Sequence, residues 1–181
     1  MLFRSGHVEA LRHWARHLLR IRALQEQTRG FTEFVPLPFV HMEAPVYLRG
    51  GARRGPTFRE ALLMHAVARL VLNPVLPNIQ VSWVKMGAEG VAAALAAGAN
   101  DLGGTLMNES ISRAAGTQHG QEMAPAAMDA LIRRAVRVPQ QRTTLYGAAS
   151  TEREQRSYSA SPLAALPSII APVRQRISVA A

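Results

Sequence analysis

The sequence predicts an α/β fold with parallel strands, and three observations carry that prediction. Segments with helical periodicity alternate with short, mostly apolar runs. The connections are a few residues long, except after the first apolar run. Glycine, proline and capping signals fall where one kind of segment gives way to the next. Three such strands make either a small open sheet or part of a (β/α) barrel. A whole barrel takes eight strands and about 250 residues, more than the 181 present. On the barrel reading the chain is therefore a partial TIM-type barrel.

The first helix spans 8–28. Leu11, Trp14, Ala15, Leu18, Ile21 and Leu24 recur at steps of three and four, and Gly30 can supply a left-handed cap. The run FTEFVPLPFV, 31–40, reads as a strand covered on both faces, although Pro36 and Pro38 each remove a ladder donor. Residues 41–56 read as loop. Thr57 and Glu60 form a capping box that opens a helix to about Leu72, with Leu63, Ala66, Val67 and Leu70 inward. Asn73-Pro74 stops it. The second strand, 79–86, alternates: Gln80, Ser82 and Val84 face one way, Ile79, Val81 and Trp83 the other. An Ala-rich helix at 88–97 closes at Gly98, and 99–105 is a third short strand. Pro125 suits the first turn of a last helix, 125–137. From 148 to 181 the chain is Ser, Ala, Pro and Arg without periodicity, which predicts a disordered tail.

Composition limits the function classes. The chain is 48% hydrophobic and 18% charged, and no apolar run approaches the ~20 residues of a membrane span. The start, MLFRSGHVEALRHWARHLLRIR, lacks the apolar core of a secretory signal. With no cysteine, the chain can form no disulfide and offers no thiolate to zinc or iron–sulfur; a cytoplasmic location is the default. The net charge of +9 suggests nucleic acid until it is mapped. Residues 31–132 are nearly neutral, and the surplus lies at the two ends. Twenty of the 21 cations are Arg, as GC-rich coding gives, and no aromatic–basic interleaving stacks bases. Nucleic-acid binding stays a minor reading.

In parallel α/β folds ligands meet the C-terminal strand ends. Polar residues crowd there: His41, Met42 and Glu43 after the first strand, and Trp83 and Lys85 at the second. The third end carries Asp101, Gly103, Gly104, Thr105, Asn108 and Glu109, then Ser112, Arg113, His119 and Glu122. Each has a plainer role beside the functional one. Gly103-Gly104 either turns the chain or lets a ligand approach the backbone. Asn108 or Ser110 can cap a helix. His41 and His119 have no metal-ligand spacing. Lys85, the only lysine, is either a chemical base or half of a buried ion pair with Asp101 or Glu109. Trp83 is core or stacking platform. By themselves these residues describe a neutral site for a polar organic ligand and name no reaction.

Four blocks name one. FTEFVPLPFVHMEAP (31–45), IQVSWVKMG (79–87), NDLGGTLMNESISRAAGTQHGQE (100–122) and QRTTLYG (141–147) resemble the C-terminal part of the radical S-adenosylmethionine enzymes that make FO, the deazaflavin precursor of coenzyme F(420). The likeness is to the CofH subunit, or to the C-terminal half of the fused FbiC-type FO synthase, and covers residues 6–147. It implies a radical-SAM barrel, of which this chain would be about strands six to eight. It also implies a [4Fe-4S] cluster that cleaves S-adenosylmethionine. The adenosyl radical then acts on L-tyrosine, whose 4-hydroxybenzyl fragment is joined to 5-amino-6-(D-ribitylamino)uracil. Residues 1–5 do not fit the family and suggest a truncated or mis-started chain.

The resemblance further implies roles. Asp101, Thr105, Asn108 and Glu109 would bind ribityl hydroxyls or uracil edges. Arg113 would hold the tyrosine carboxylate, and His41, Glu43 and Lys85 would bind substrate or move a proton. The cluster cysteines and S-adenosylmethionine loops would come from a missing N-terminal barrel half or a CofG-type partner, leaving this chain inactive alone. Two alternatives remain. One is a radical relative from menaquinone synthesis, similar to aminofutalosine synthase. The other is a noncatalytic module that pairs with a cluster-bearing chain.

Overall fold

A computed structural model of the chain describes residues 1–106, 109–120 and 122–164. The architecture is α/β. Strand β1 (Leu2–Ser5) pairs in parallel with β2 (Val35–Pro38), Leu2 opposite Val35 and Ser5 opposite Pro38. Two single parallel bridges, Phe34 to Ile79 and Gln80 to Asp101, set two further extended stretches beside β2. Helices cover one face: α1 (Leu11–Thr28), α3 (Phe58–Leu72), α4 (Trp83–Ala96) and α6 (Pro125–Arg134). Two short helices, α2 (Pro45–Leu48) and α5 (Ile111–Ala114), lie in the loops, and α7 (Thr151–Ser159) closes the described part. Among the described residues no helix is long and apolar enough to cross a membrane.

The helices form where the sequence places them, with corrections to their faces. On α1 the buried positions are Trp14, Leu18, Ile21 and Gln25, while Leu11 and Leu24 are exposed. Gln25 is tolerated inside because its amide is satisfied. Nε2 donates to Phe31 O at 3.0 Å and Val75 O at 3.1 Å, and Oε1 accepts from Phe31 N at 2.8 Å. The left-handed cap is Arg29 (φ 54°), one residue before Gly30, because the bonds from Gln25 to Phe31 require the chain to turn at once.

The α3 capping box is present, with Thr57 Oγ1 accepting from Glu60 N at 3.2 Å and Glu60 Oε2 from Thr57 N at 2.7 Å. Its buried face is Ala61, Met64, His65, Ala68 and Leu72, not the expected Leu63, Val67 and Leu70. Leu70 is 79% exposed and Leu63 49%. The helix is apolar on most of its circumference, so period alone does not choose a face. Met64, Ala68 and Leu72 of this face share one core with Trp14, Leu18 and Ile21 of α1.

The two later strands shrink. The expected strand 79–86 holds its parallel bridges only at Ile79 and Gln80. Ser82 O then accepts from both Lys85 N (3.2 Å) and Met86 N (3.0 Å), so Trp83 to Met86 form a helical turn. Gly87 (φ 65°) breaks that turn before α4 resumes. The expected strand 99–105 has its bridge at Asp101. The last helix begins at Pro125 as expected and stops at Arg134.

The expected structureless tail contains α7. Ser150 Oγ accepts from Arg153 N at 3.3 Å, Glu152 and Glu154 sit in the first turn, and Glu152 pairs with Arg156 at 2.7 Å. Such a helix is polar all round and carries no apolar period to read. It is held to the body through Gln141 Nε2 on Ser157 Oγ (2.6 Å) and Tyr158 OH on Asp129 (2.7 Å).

Candidate substrate-side site

Parallel pairing fixes which residues share a face. Phe34, Ile79 and Val81 enter the helix-side cores. Glu33, Gln80, Ser82 and Asp101 therefore belong to the opposite face, as the alternation at 79–82 anticipated. Polar residues line that face, and the loops above its C-terminal ends carry most of the candidates.

Three loops meet there. Glu43 N donates to Ala115 O at 3.2 Å, tying the chain after β2 to the end of α5. His41 stands edge-on to Tyr47, ring centroids 4.7 Å apart; burial, helped by the charge of Arg54, lowers its pKa. The His119 ring lies directly on Gly87, where a Cβ would sit 2.8 Å from its Cε1, so that position accepts no larger residue as it stands. Arg113 is on α5 and half-buried.

Lys85 sits on the first turn of α4 rather than on a strand. Its Nζ donates to Ser112 Oγ at 2.9 Å, and Ser112 N donates to both Glu109 oxygens at 3.0 and 3.1 Å. Burial lowers the Lys85 pKa; the Glu109 carboxylate opposes this and the Arg4 charge adds to it. Of the two acids expected to pair with Lys85, Glu109 acts through Ser112 and at longer range. Asp101 is engaged elsewhere.

Trp83 is fully buried, and its Nε1 donates to Gly104 O at 3.0 Å. The two glycines differ. Gly103 has φ 77°, and a Cβ there would meet the Gln80 amide at 2.7 Å, so the turn itself demands glycine. Gly104 has nothing within 4 Å of a built Cβ. Thr105 O accepts from Met123 N at 3.2 Å. Asn108 lies outside the described residues.

Asp101 belongs to a second cluster, which the sequence did not disclose. Its Oδ1 accepts from Gly103 N at 2.6 Å, and its Oδ2 accepts from Arg142 Nε at 2.5 Å and from the Tyr146 hydroxyl. Glu33 Oε2 accepts from Arg142 Nη2 at 3.2 Å and stands 2.6 Å from the Tyr146 hydroxyl, whose single proton the two carboxylates share. The Arg142 guanidinium lies over the Tyr146 ring at 4.0 Å. Burial and the two carboxylates raise the Tyr146 pKa. A signal existed: Glu33 is an acid inside an apolar run, and an acid drawn partly out of water there calls for a cation from elsewhere in the chain. A groove of about 1080 Å³ runs between this cluster, the 101–106 stretch and α6.

The donor set does not fit an iron–sulfur cluster. The chain has no cysteine, and among the described residues no three His, Cys, Asp or Glu side chains are placed to hold a metal. What the geometry provides is a mixed set of donors and acceptors at the C-terminal ends of parallel segments.

Comparison with known proteins places the chain in a family. A 5-amino-6-(D-ribitylamino)uracil–L-tyrosine 4-hydroxyphenyl transferase of Methanopyrus kandleri is 55% identical over 141 residues, 78% of this chain and 38% of the relative. An FO synthase of Streptomyces avermitilis is 53% identical over 150 residues, 83% of this chain and 17% of the relative. The Methanocaldococcus jannaschii transferase is 50% identical over 141 residues, 78% of this chain and 39% of the relative. The chain thus spans less than two-fifths of each of these relatives. The family model described as the CofH/MqnC C-terminal region matches residues 28–155. With that match over most of its length, and with relatives at half identity or better, the chain belongs to the CofH/MqnC C-terminal region family.

Proposed function

We propose that residues 6–147 form the substrate-binding side of an enzyme that joins a tyrosine-derived 4-hydroxybenzyl group to 5-amino-6-(D-ribitylamino)uracil, a step of deazaflavin synthesis in the cytoplasm. The observation that carries this reading is the 55% identity to a transferase of that name over a stretch that includes every candidate residue. The parallel arrangement supports placing the chain in a (β/α) barrel completed by other strands. The [4Fe-4S] cluster and S-adenosylmethionine belong to residues outside this chain, either an N-terminal barrel half or a CofG-type partner.

The chain's own residues bind and orient. Lys85 and Ser112 offer a donor and a hydroxyl to a ribityl chain or a uracil edge, and Glu109 holds Ser112 in place. Arg113 takes the tyrosine carboxylate as a two-pronged donor. His41, held towards its neutral form, is suited to accept a proton. The open side of Gly104 lets a ligand approach the backbone, and Thr105 stands beside it.

A chimera tests the reading. Residues 6–147 replace the matching stretch of the Methanopyrus kandleri transferase, and product formation is measured after cluster loading. The expected result is the same product at a measurable rate. A folded, cluster-loaded chimera that cleaves S-adenosylmethionine and makes no product refutes it.

A further inference from the structure

We infer that Arg142 and Tyr146 are positioning residues: through the Asp101 carboxylate they set the Gly103–Gly104 turn and, beyond it, the Trp83 indole. The links are consecutive. Arg142 Nε and the Tyr146 hydroxyl both donate to Asp101 Oδ2, which leaves Oδ1 aimed at Gly103 N, 2.6 Å away. The turn so held presents Gly104 O to Trp83 Nε1 at 3.0 Å. Asp101 is only 7% exposed. A carboxylate that far from water depends on its donors for its orientation as much as for its charge. With Gly103 N on one oxygen, and Arg142 Nε and the shared Tyr146 proton on the other, Asp101 is committed inside the protein, so the role for it is to orient the turn rather than to contact substrate.

The segment that delivers the donors is itself built for placement. Residues 142–148 fold back on themselves, with Arg142 bridged to Ala148, Thr143 N donating to Gly147 O at 2.8 Å, and Gly147 N to Thr143 Oγ1 at 3.0 Å. Tyr146 occupies left-handed backbone (φ 64°), which a tyrosine adopts at a cost. That conformation is retained where contacts over-determine it: here the Tyr146 hydroxyl on Glu33 and Asp101, and the guanidinium stacked over its ring. Glu33 fixes the same pair from just ahead of β2, so the strap spans the polar face of the sheet from Glu33 to Asp101.

What the turn is for rests on the proposed substrate-side role. The coupling itself is measured without substrate, so the two ideas fail separately. The full chain is labelled with 15N, and hydrogen exchange is followed at the Gly103 amide and the Trp83 indole. Reference amides are Leu18 in α1 and Ala68 in α3. Arg142→Gln and Tyr146→Phe are compared with Arg133→Gln, a change at an exposed i,i+4 pair. The expected result is roughly tenfold faster exchange at Gly103 relative to the references, with a shifted Trp83 indole resonance, in both strap variants. The Arg133 variant leaves both signals in place. Exchange that is unchanged at Gly103, or that rises equally at Leu18 and Ala68, overturns the inference, because the strap would then supply stability alone. Should Arg142→Gln fail to fold, Tyr146→Phe carries the test, since it removes one hydroxyl and keeps the ring under the guanidinium.

Discussion

Glu9 closes the turn after β1 with its own carboxylate, and that arrangement gives a sharp prediction. Its oxygens accept from three consecutive amides, Gly6, His7 (3.2 Å) and Val8 (3.1 Å), and from Trp14 Nε1 at 2.7 Å. The side chain is 13% exposed. Burial pushes its pKa up, but the bonds from Gly6, from its own backbone amide, from Trp14 and from Val8 outweigh burial and bring it from 4.5 to about 2. At about 1.4 kcal/mol per pH unit, that depression corresponds to roughly 3 kcal/mol of stability at neutral pH. The folded-state pKa is the lower one. The contribution is therefore complete above pH 4.5 and disappears as the pH falls towards 2.

Glu9→Gln keeps the shape and removes the charge, and its amide turns an NH2 towards the backbone donors. Urea denaturation at pH 7 should show the variant less stable by about 3 kcal/mol, and the gap should narrow to about 1 kcal/mol by pH 2.5. Equal midpoints at pH 7 would refute the reasoning. So would a gap that stays constant down to pH 2.5, which would mean that packing and not the carboxylate charge is responsible.

Other outcomes follow from the same physics. Gly103→Ala should cost about 2 kcal/mol or more, through its positive φ and the Gln80 contact. Gly104→Ala should fall within about 0.5 kcal/mol of the parent and yet weaken substrate binding in the chimera; thermal melts and KM values check the pair. His65 is fully buried with Nδ1 on Ala61 O at 2.8 Å, and since a carbonyl only accepts, that nitrogen carries the proton. Burial lowers its pKa from 6.5, so its contribution is present above pH 6.5 and lost as the pH falls below it; denaturation of His65→Leu at pH 7.5 and 5 should show a flatter dependence. Lys85 is the only lysine, so NMR of 13C-methylated protein can follow it directly. Its titration should move further down in Glu109→Gln, because Glu109 is what raises it. In the chimera, Arg113→Ala should raise KM for L-tyrosine, and an unchanged KM would remove Arg113 from that role.

The parts of this fold that were legible in the sequence are those set by local rules. Thr57–Glu60 announced a cap and formed one. Pro125 marked a first turn, and the alternation of Ile79, Gln80, Val81 and Ser82 placed each on its correct face. The parts that were not legible depend on distant partners. The α3 face was ambiguous because both stripes are apolar, and docking with α1 decided it. The burial of Gln25 rests on Phe31 and Val75, which supply the partners of its amide from outside the helix. Trp83 to Met86 have strand composition, yet Ser82 O draws two amides back into a turn. Asp101 was expected to contact substrate, and the structure shows it held by partners of its own chain. Its partners lie 41 and 45 residues away, at Arg142 and Tyr146, and no spacing rule joins them.

Binding of 5-amino-6-(D-ribitylamino)uracil to the purified chain tests the substrate-side assignment most directly. A titration followed by 15N NMR should give saturable shifts at Lys85, Gly104, Thr105, Glu109 and Ser112 and at the Trp83 indole. The α7 amides should stay still. Saturable binding that perturbs α7 and the outer side of α6 and leaves Lys85 and Gly104 unmoved would contradict the assignment, as would the absence of binding by the folded chain.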